Sequence, residues 1–212
     1  MNCLLIRACH DPFTLFAQTC AAEIMEALEE KSISFRDLLS IDATRENVER
    51  FLSSPENHPS IVFGFGHGSP QLFTGHNNEE LLSSVSADDR TLFSENFFYL
   101  HSCSCGQELG RKMVEYGGMG FLGYCDEVWF HEQNVLAFKR AANKGILEMI
   151  KNNCTLINAY ELTIAAYNEE LEKARRTRKF FAFNCLKKNR DAFVKYGVDN
   201  FVMSSIFTAI DT

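Results

Sequence analysis

The 212-residue chain is poor in proline, tryptophan and positive charge: it holds 4 Pro and 1 Trp, and 21 Lys and Arg stand against 28 Asp and Glu, a formal net charge of −7. The missing positive charge excludes the basic face by which a nucleic-acid-binding domain shows itself. The single basic cluster, residues 173–179 (KARRTRK), closes a helical pattern. It is expected to be a solvated helix end that complements the helix dipole. No run of ~18 uninterrupted apolar residues exists, so no membrane span is expected. Residues 1–9 (MNCLLIRAC) have an apolar middle without a basic leader, and Asp11-Pro12 comes at once, which argues against a signal peptide. The eight cysteines, at positions 3, 9, 20, 103, 105, 125, 154 and 185, show no disulfide framework. They are expected to be reduced, in a cytoplasmic protein. No internal repeat or low-complexity linker divides the chain, so residues 1–212 are read as one domain.

What is present is a core. The hydrophobic share of 46% and 19 Phe suffice for a large aromatic interior. Residues 4–8 read as a short buried strand. Phe13, Phe16, Cys20, Ile24 and Leu28 then fall at helical spacing. Residues 34–39 predict a second strand and 44–53 a helix with Val48, Phe51 and Leu52 inward. Residues 60–65 (SIVFGF) and 97–102 (FFYLHS) are apolar enough to be central strands of a parallel sheet. Between them, 73–78 read as a turn and 79–85 as a short helix. Residues 108–116 are helical, stopped by Gly117-Gly118, and 119–124 (MGFLGY) form the next strand. Helices come next over 131–150 and 158–176, the second with Ala159, Leu162, Ala165, Ala166 and Leu171 as its inner face. Residues 180–185 fit strand or helix equally. Strands alternating with helices predict an α/β fold: a mostly parallel sheet with helices on both faces.

In such a sheet, reactive groups gather at the carboxyl ends of the strands. SIVFGF runs into Gly66-His67-Gly68, and FFYLHS into Cys103-Ser104-Cys105-Gly106. An imidazole beside a thiol is what nucleophilic acyl transfer requires, because the thiolate attacks while a free thiol is mostly protonated at neutral pH. His67 is thus the candidate base and Cys103 the candidate nucleophile. Gly66 and Gly68 allow a sharp turn and close approach to substrate. The Gly68 and Cys103 N–H groups are candidate donors to an oxyanion. Ser102 and Ser104 leave room for a peptide, and a helix beginning near Gln107 would aim its positive end at Cys103.

These segments resemble the caspase-like cysteine peptidases, a clan of caspases, metacaspases, gingipains, clostripain and separase, and most of all its prokaryotic CHAT and gingipain-like domains. There, a His-Gly pair is followed by a strand ending in a small residue, Cys, two more residues and Gly, as in Gly66-His67-Gly68 and Ser102-Cys103-Ser104-Cys105-Gly106. Less specific likeness extends from about residue 42 to 197, through YGGMGFLGY and NRDAFVKYG. Cys105 stands where Thr or Ser is common, and Val198-Asp199 where Asp-Pro is common. The resemblance implies a three-layer αβα sandwich. It implies an endopeptidase that cleaves a protein or peptide substrate through a His67–Cys103 dyad without cofactor or metal; because a cytosolic peptidase needs control, a regulatory protein partner or ligand is expected as well. It also implies that the loop after MGFLGY shapes the pocket for the residue before the cut. Asp126 and Glu127 there would select Arg or Lys, with Trp129 lining the pocket; the alternative is a solvated turn.

Other readings stay open. Cys105 is a rival nucleophile, and Cys103-x-Cys105 could be a redox couple. A zinc site would need more ligands than His101 supplies, and the residues after Gly64-Phe65-Gly66 lack the Lys-Ser or Lys-Thr of a phosphate loop. A non-catalytic protein-binding domain on the same fold is the second functional class.

Overall fold

The computed structural model describes residues 3–207. Its chain alternates strand and helix from the start: β1 (Cys3–Arg7), α1 (Pro12–Glu30), β2 (Phe35–Leu39), α2 (Arg45–Leu52) and β3 (Ile61–Phe65). A small hairpin, β4 (Leu72–Thr74) and β5 (Glu80–Ser83), comes next, then α3 (Asp89–Phe93), β6 (Phe97–His101), α4 (Leu109–Glu115) and β7 (Gly120–Tyr124). Three longer helices, α5 (Val135–Asn152), α6 (Leu156–Arg176) and α7 (Phe180–Ala192), precede β8 (Phe193–Gly197) and the short α8 (Ser204–Phe207).

Six strands form one sheet in the order β2-β1-β3-β6-β7-β8; all neighbours are parallel except β7 and β8. The three central strands, IVFGF, FFYLH and GFLGY, are buried at every residue, which explains why they are apolar without alternation. Side chains nevertheless alternate between faces. Leu5, Phe63, Phe65, Tyr99 and Leu122 pack with α1, α5, α6 and α7, while Leu4, Ile6, Val62, Leu100 and Phe121 pack with α2, α3 and α4. Helices thus cover both faces of the sheet. No helix among the described residues is long and apolar enough to cross a membrane.

Two expectations fail. Residues 79–85 are not helical: Glu80–Ser83 pairs antiparallel with Leu72–Thr74 across a turn whose Asn77 and Asn78 take φ of 50° and 62°. Two consecutive buried leucines, Leu81 and Leu82, obey neither simple period, and cross-strand pairing decides. Asp89, fully buried, pins the hairpin by accepting from the Ser83 N–H and from Arg45 of α2. The buried stripe of α6 is Leu156, Ala159, Thr163, Tyr167 and Leu171, not the line through Leu162 and Ala165. The sequence pattern hides this stripe because Tyr167 and Thr163 are polar-tipped: the Tyr167 hydroxyl pairs with Tyr124, and Thr163 takes the Gly145 N–H. The ambiguous segment 180–185 belongs to α7.

Candidate active site

The sheet changes direction of growth between β1 and β3: the chain first adds β2 on one side of β1 and then β3 on the other. Such a switch point opens a crevice at the carboxyl ends of the strands. In register, Arg7 of β1 lies beside Phe65 of β3, and Phe65 beside His101 of β6. His67 and Cys103 therefore each stand two residues past a matched strand end. Asp11 stands four residues past the end of β1. Three adjacent parallel strands deliver Asp11, His67 and Cys103 to one edge in that order.

Asp11 is a site residue that sequence reasoning misses. It is the N-cap of α1, where its Oδ1 accepts the Thr14 N–H at 2.9 Å and Pro12 opens the first turn. Its other oxygen, Oδ2, is hydrogen-bonded to His67 Nε2. Burial alone would raise the Asp11 pKa, but the Thr14 N–H, the His67 ring and the Thr14 hydroxyl outweigh it and bring the carboxyl to about 2. A carboxylate only accepts, so His67 Nε2 donates, and the neutral ring keeps its lone pair on Nδ1. Phe13 stacks on the ring with centroids 5.2 Å apart and planes 25° from parallel, fixing its orientation. The only sequence signal for Asp11 is an Asp-Pro helix start just after the first strand of a parallel sheet.

The loops of His67 and Cys103 are in contact. His67 O accepts from Thr74 N–H, and Gly68 bridges to Phe73, so His67 is held on the β4 hairpin. A Cβ on Gly68 would lie 2.4 Å from Cys105 Sγ and 2.6 Å from Cys103 O; at Gly66 it would lie 2.3 Å from Thr74 O. Close packing of loops, rather than a sharp turn, requires both glycines. Neither the Gly68 nor the Cys103 N–H meets an acceptor among the described residues.

Cys103 is half-buried, and its Sγ accepts the Val128 N–H at 3.3 Å. Burial pushes its thiol up, the Val128 N–H opposes this, and Glu127 and Asp126 add to the rise. The expected assistance from a helix start is weak, since α4 begins only at Leu109, beyond a turn in which Ser104 takes φ of 58°. That turn is tied to the end of β7 by Ser104 N–H to Asp126 O at 3.0 Å and Gly106 N–H to Tyr124 O at 2.7 Å. Asp126 and Glu127 are exposed beside Cys103. Trp129 is partly exposed, its backbone held at both ends by buried Asn189 and its ring lying under Lys188 Nζ at 4.5 Å.

Cys105 faces the opposite way. Cys103 packs against the α1 and α5 side of the sheet, and Cys105 lies in the α2 and α4 core with no exposed surface. The Ser102 hydroxyl donates to its sulfur at 3.0 Å, its thiol donates to Leu72 O at 3.3 Å, and burial pushes it up to about 12. Cys105→Ala is expected to cost about 1–2 kcal/mol of stability, as chemical denaturation would measure. His101 is buried among Phe16, Phe65 and Tyr124, and burial lowers it to about 4, so it is a neutral core residue.

No family model matches the chain, and no curated protein matches it.

Proposed function

We propose that this protein is a cysteine endopeptidase of the caspase-like type, with Cys103 as nucleophile, His67 as general base and Asp11 as the group that orients His67. The observation that carries the reading is the delivery of a carboxylate, an imidazole and a thiol, in that order, from three adjacent strand ends at the switch point of a parallel sheet. Each has the role that the triad logic demands: Asp11 fixes the tautomer, Nδ1 of His67 takes the thiol proton, and Sγ of Cys103 attacks the scissile carbonyl. The Gly68 and Cys103 N–H groups hold the oxygen of the tetrahedral intermediate. His67 then gives its proton to the leaving amine, and water, activated by the same ring, hydrolyses the thioester. The exposed carboxylates of Asp126 and Glu127 favour a cationic residue before the cut, and no cofactor takes part in these steps.

The redox reading is weakened by Cys103 and Cys105 facing opposite sides of the sheet. The non-catalytic reading leaves the Asp11–His67 bond and the half-exposed thiol without a task. Digestion of a peptide library in the presence of a chelator tests the proposal: cleavage after a narrow set of residues, abolished by prior alkylation, is the expected result. An intact library at high enzyme concentration would favour a binding domain.

The raised Cys103 thiol also bears on activation. A group shifted upward is protonated at neutral pH, so His67 removes the proton during attack rather than storing an ion pair. In His67→Ala, the rate at which iodoacetamide alkylates Cys103 is expected to climb with pH beyond 9, the ordinary thiol value. Adding Asp126→Asn and Glu127→Gln removes two charges that raise the thiol, so the rate at pH 7.5 should increase. In wild type, an alkylation rate already flat at neutral pH would show a preformed thiolate–imidazolium pair instead.

A further inference from the structure

We propose that His10, Asp11 and His67 form a site for a borderline transition-metal dication such as zinc, and that its occupancy silences the dyad. The silencing rests on the peptidase reading above; the coordination does not. One ligand atom from each residue lies within 4.8 Å of the other two, and His10 Nε2 is 3.8 Å from Asp11 Oδ2. The independent observation is His10 itself: both ring nitrogens are buried and neither has a hydrogen-bond partner. Buried polar atoms are nearly always satisfied, and an orphaned imidazole calls for a partner such as an ion. The ring is held in place between His67 and His76, with centroids 5.6 and 5.7 Å away, and the His10 backbone N–H donates to Thr14 Oγ1. Asp11 can cap α1 through Oδ1 and still offer Oδ2 to a metal. The side chains of Asp11 and His67 are each about one-third exposed, which gives a cation a way in.

Two imidazoles and one carboxylate suit zinc, cobalt or nickel; calcium and magnesium prefer all-oxygen shells. Three protein ligands leave a fourth position for water. The chemistry of silencing stems from the tautomer. When Nε2 of His67 gives its lone pair to the metal, the ring proton moves from Nε2 to Nδ1, and the Asp11–His67 hydrogen bond is replaced by two metal bonds. A ring that carries its proton on Nδ1 cannot accept one from Cys103. No net proton or electron is gained or lost by the protein.

The test begins with chelator-treated Cys103→Ala protein, titrated with cobalt(II) and then zinc. Expected are visible ligand-field bands without a thiolate-to-metal charge-transfer band, displacement by zinc but not by calcium, and binding weakened at least tenfold by His10→Gln. Circular dichroism establishes that His10→Gln is folded; should it not be, Asp11→Asn, which keeps the helix cap, serves in its place. No binding, binding insensitive to both substitutions, or a charge-transfer band would overturn the site. In the wild type, zinc should stop library cleavage, a chelator should restore it, and His10→Gln should raise the zinc needed for half-inhibition at least tenfold. Cleavage unaffected by zinc that is bound at this site would overturn the silencing. A library never cleaved by chelator-treated wild type would sink the peptidase reading while leaving the cobalt result to decide the metal site.

Discussion

Cys103→Ala and His67→Ala are each expected to lower kcat/KM for peptide cleavage by at least ~10³-fold, and the double variant to fall little further. The reason for the non-additivity is that base and nucleophile act as one unit: without the thiol there is nothing for Nδ1 to deprotonate, and without the imidazole a thiol raised by burial, Glu127 and Asp126 is rarely ionised. Neither change should unfold the chain. Cys103 is half-buried and loses one weak acceptor for the Val128 N–H, while His67 is one-third exposed and loses its stack with Phe13. Thermal midpoints within a few degrees of wild type, measured beside the kinetics, separate lost chemistry from lost fold. Multiplicative losses in the double variant would mean that the two residues work independently, contrary to the proposal.

Asp11→Asn is expected to lower kcat by about 10²–10⁴-fold with KM nearly unchanged. The substitution is chosen because Asp11 has two tasks on two oxygens. Asn caps a helix about as well as Asp, so α1 should keep its first turn and the protein its stability. The change falls on the group facing His67 Nε2. An amide nitrogen there donates, as Nε2–H does, so the ring moves its proton to Nδ1 and ceases to be a base. Asp11→Ala should show the same kinetic loss plus about 0.5–2 kcal/mol of lost stability from the missing cap. An Asp11→Asn enzyme within a few-fold of wild type would make Asp11 a helix cap and nothing more.

The placement of His67 and Cys103 past adjacent strand ends is legible in the sequence because both sit beside the strongest local signals. IVFGF is apolar at every position and FFYLH at every position but its last, and a strand buried on both faces must be central, so the residues just past its end must lie at the sheet edge where sites form. Asp11 is invisible for the converse reason: its partner His67 is 56 residues away, and only the strand order brings β1 beside β3. His10 is hidden likewise, since a histidine before an Asp-Pro turn has no periodicity to betray its burial. The sequence pattern also misjudges elements whose burial is decided by polar tips or by pairing. Tyr167 and Thr163 replace Leu162 and Ala165 on the inner face of α6 because their hydroxyls find partners, and Leu81-Leu82 becomes strand because Leu72–Thr74 is there to receive it. Gly68 stands out in the sequence as a turn residue, yet its need for glycine has a different cause, the contact of its loop with Cys103 and Cys105.

The central claim is that Cys103, and no other of the eight cysteines, is an activated nucleophile toward peptidyl substrates. Its most direct test is the intact mass of chelator-treated protein after incubation with a panel of peptidyl acyloxymethyl ketones. The account predicts a single adduct on wild type, mapped to Cys103, dependent on the last residue of the peptide, slowed in His67→Ala and absent in Cys103→Ala. An adduct on a different cysteine, or none from any member of the panel, would contradict it.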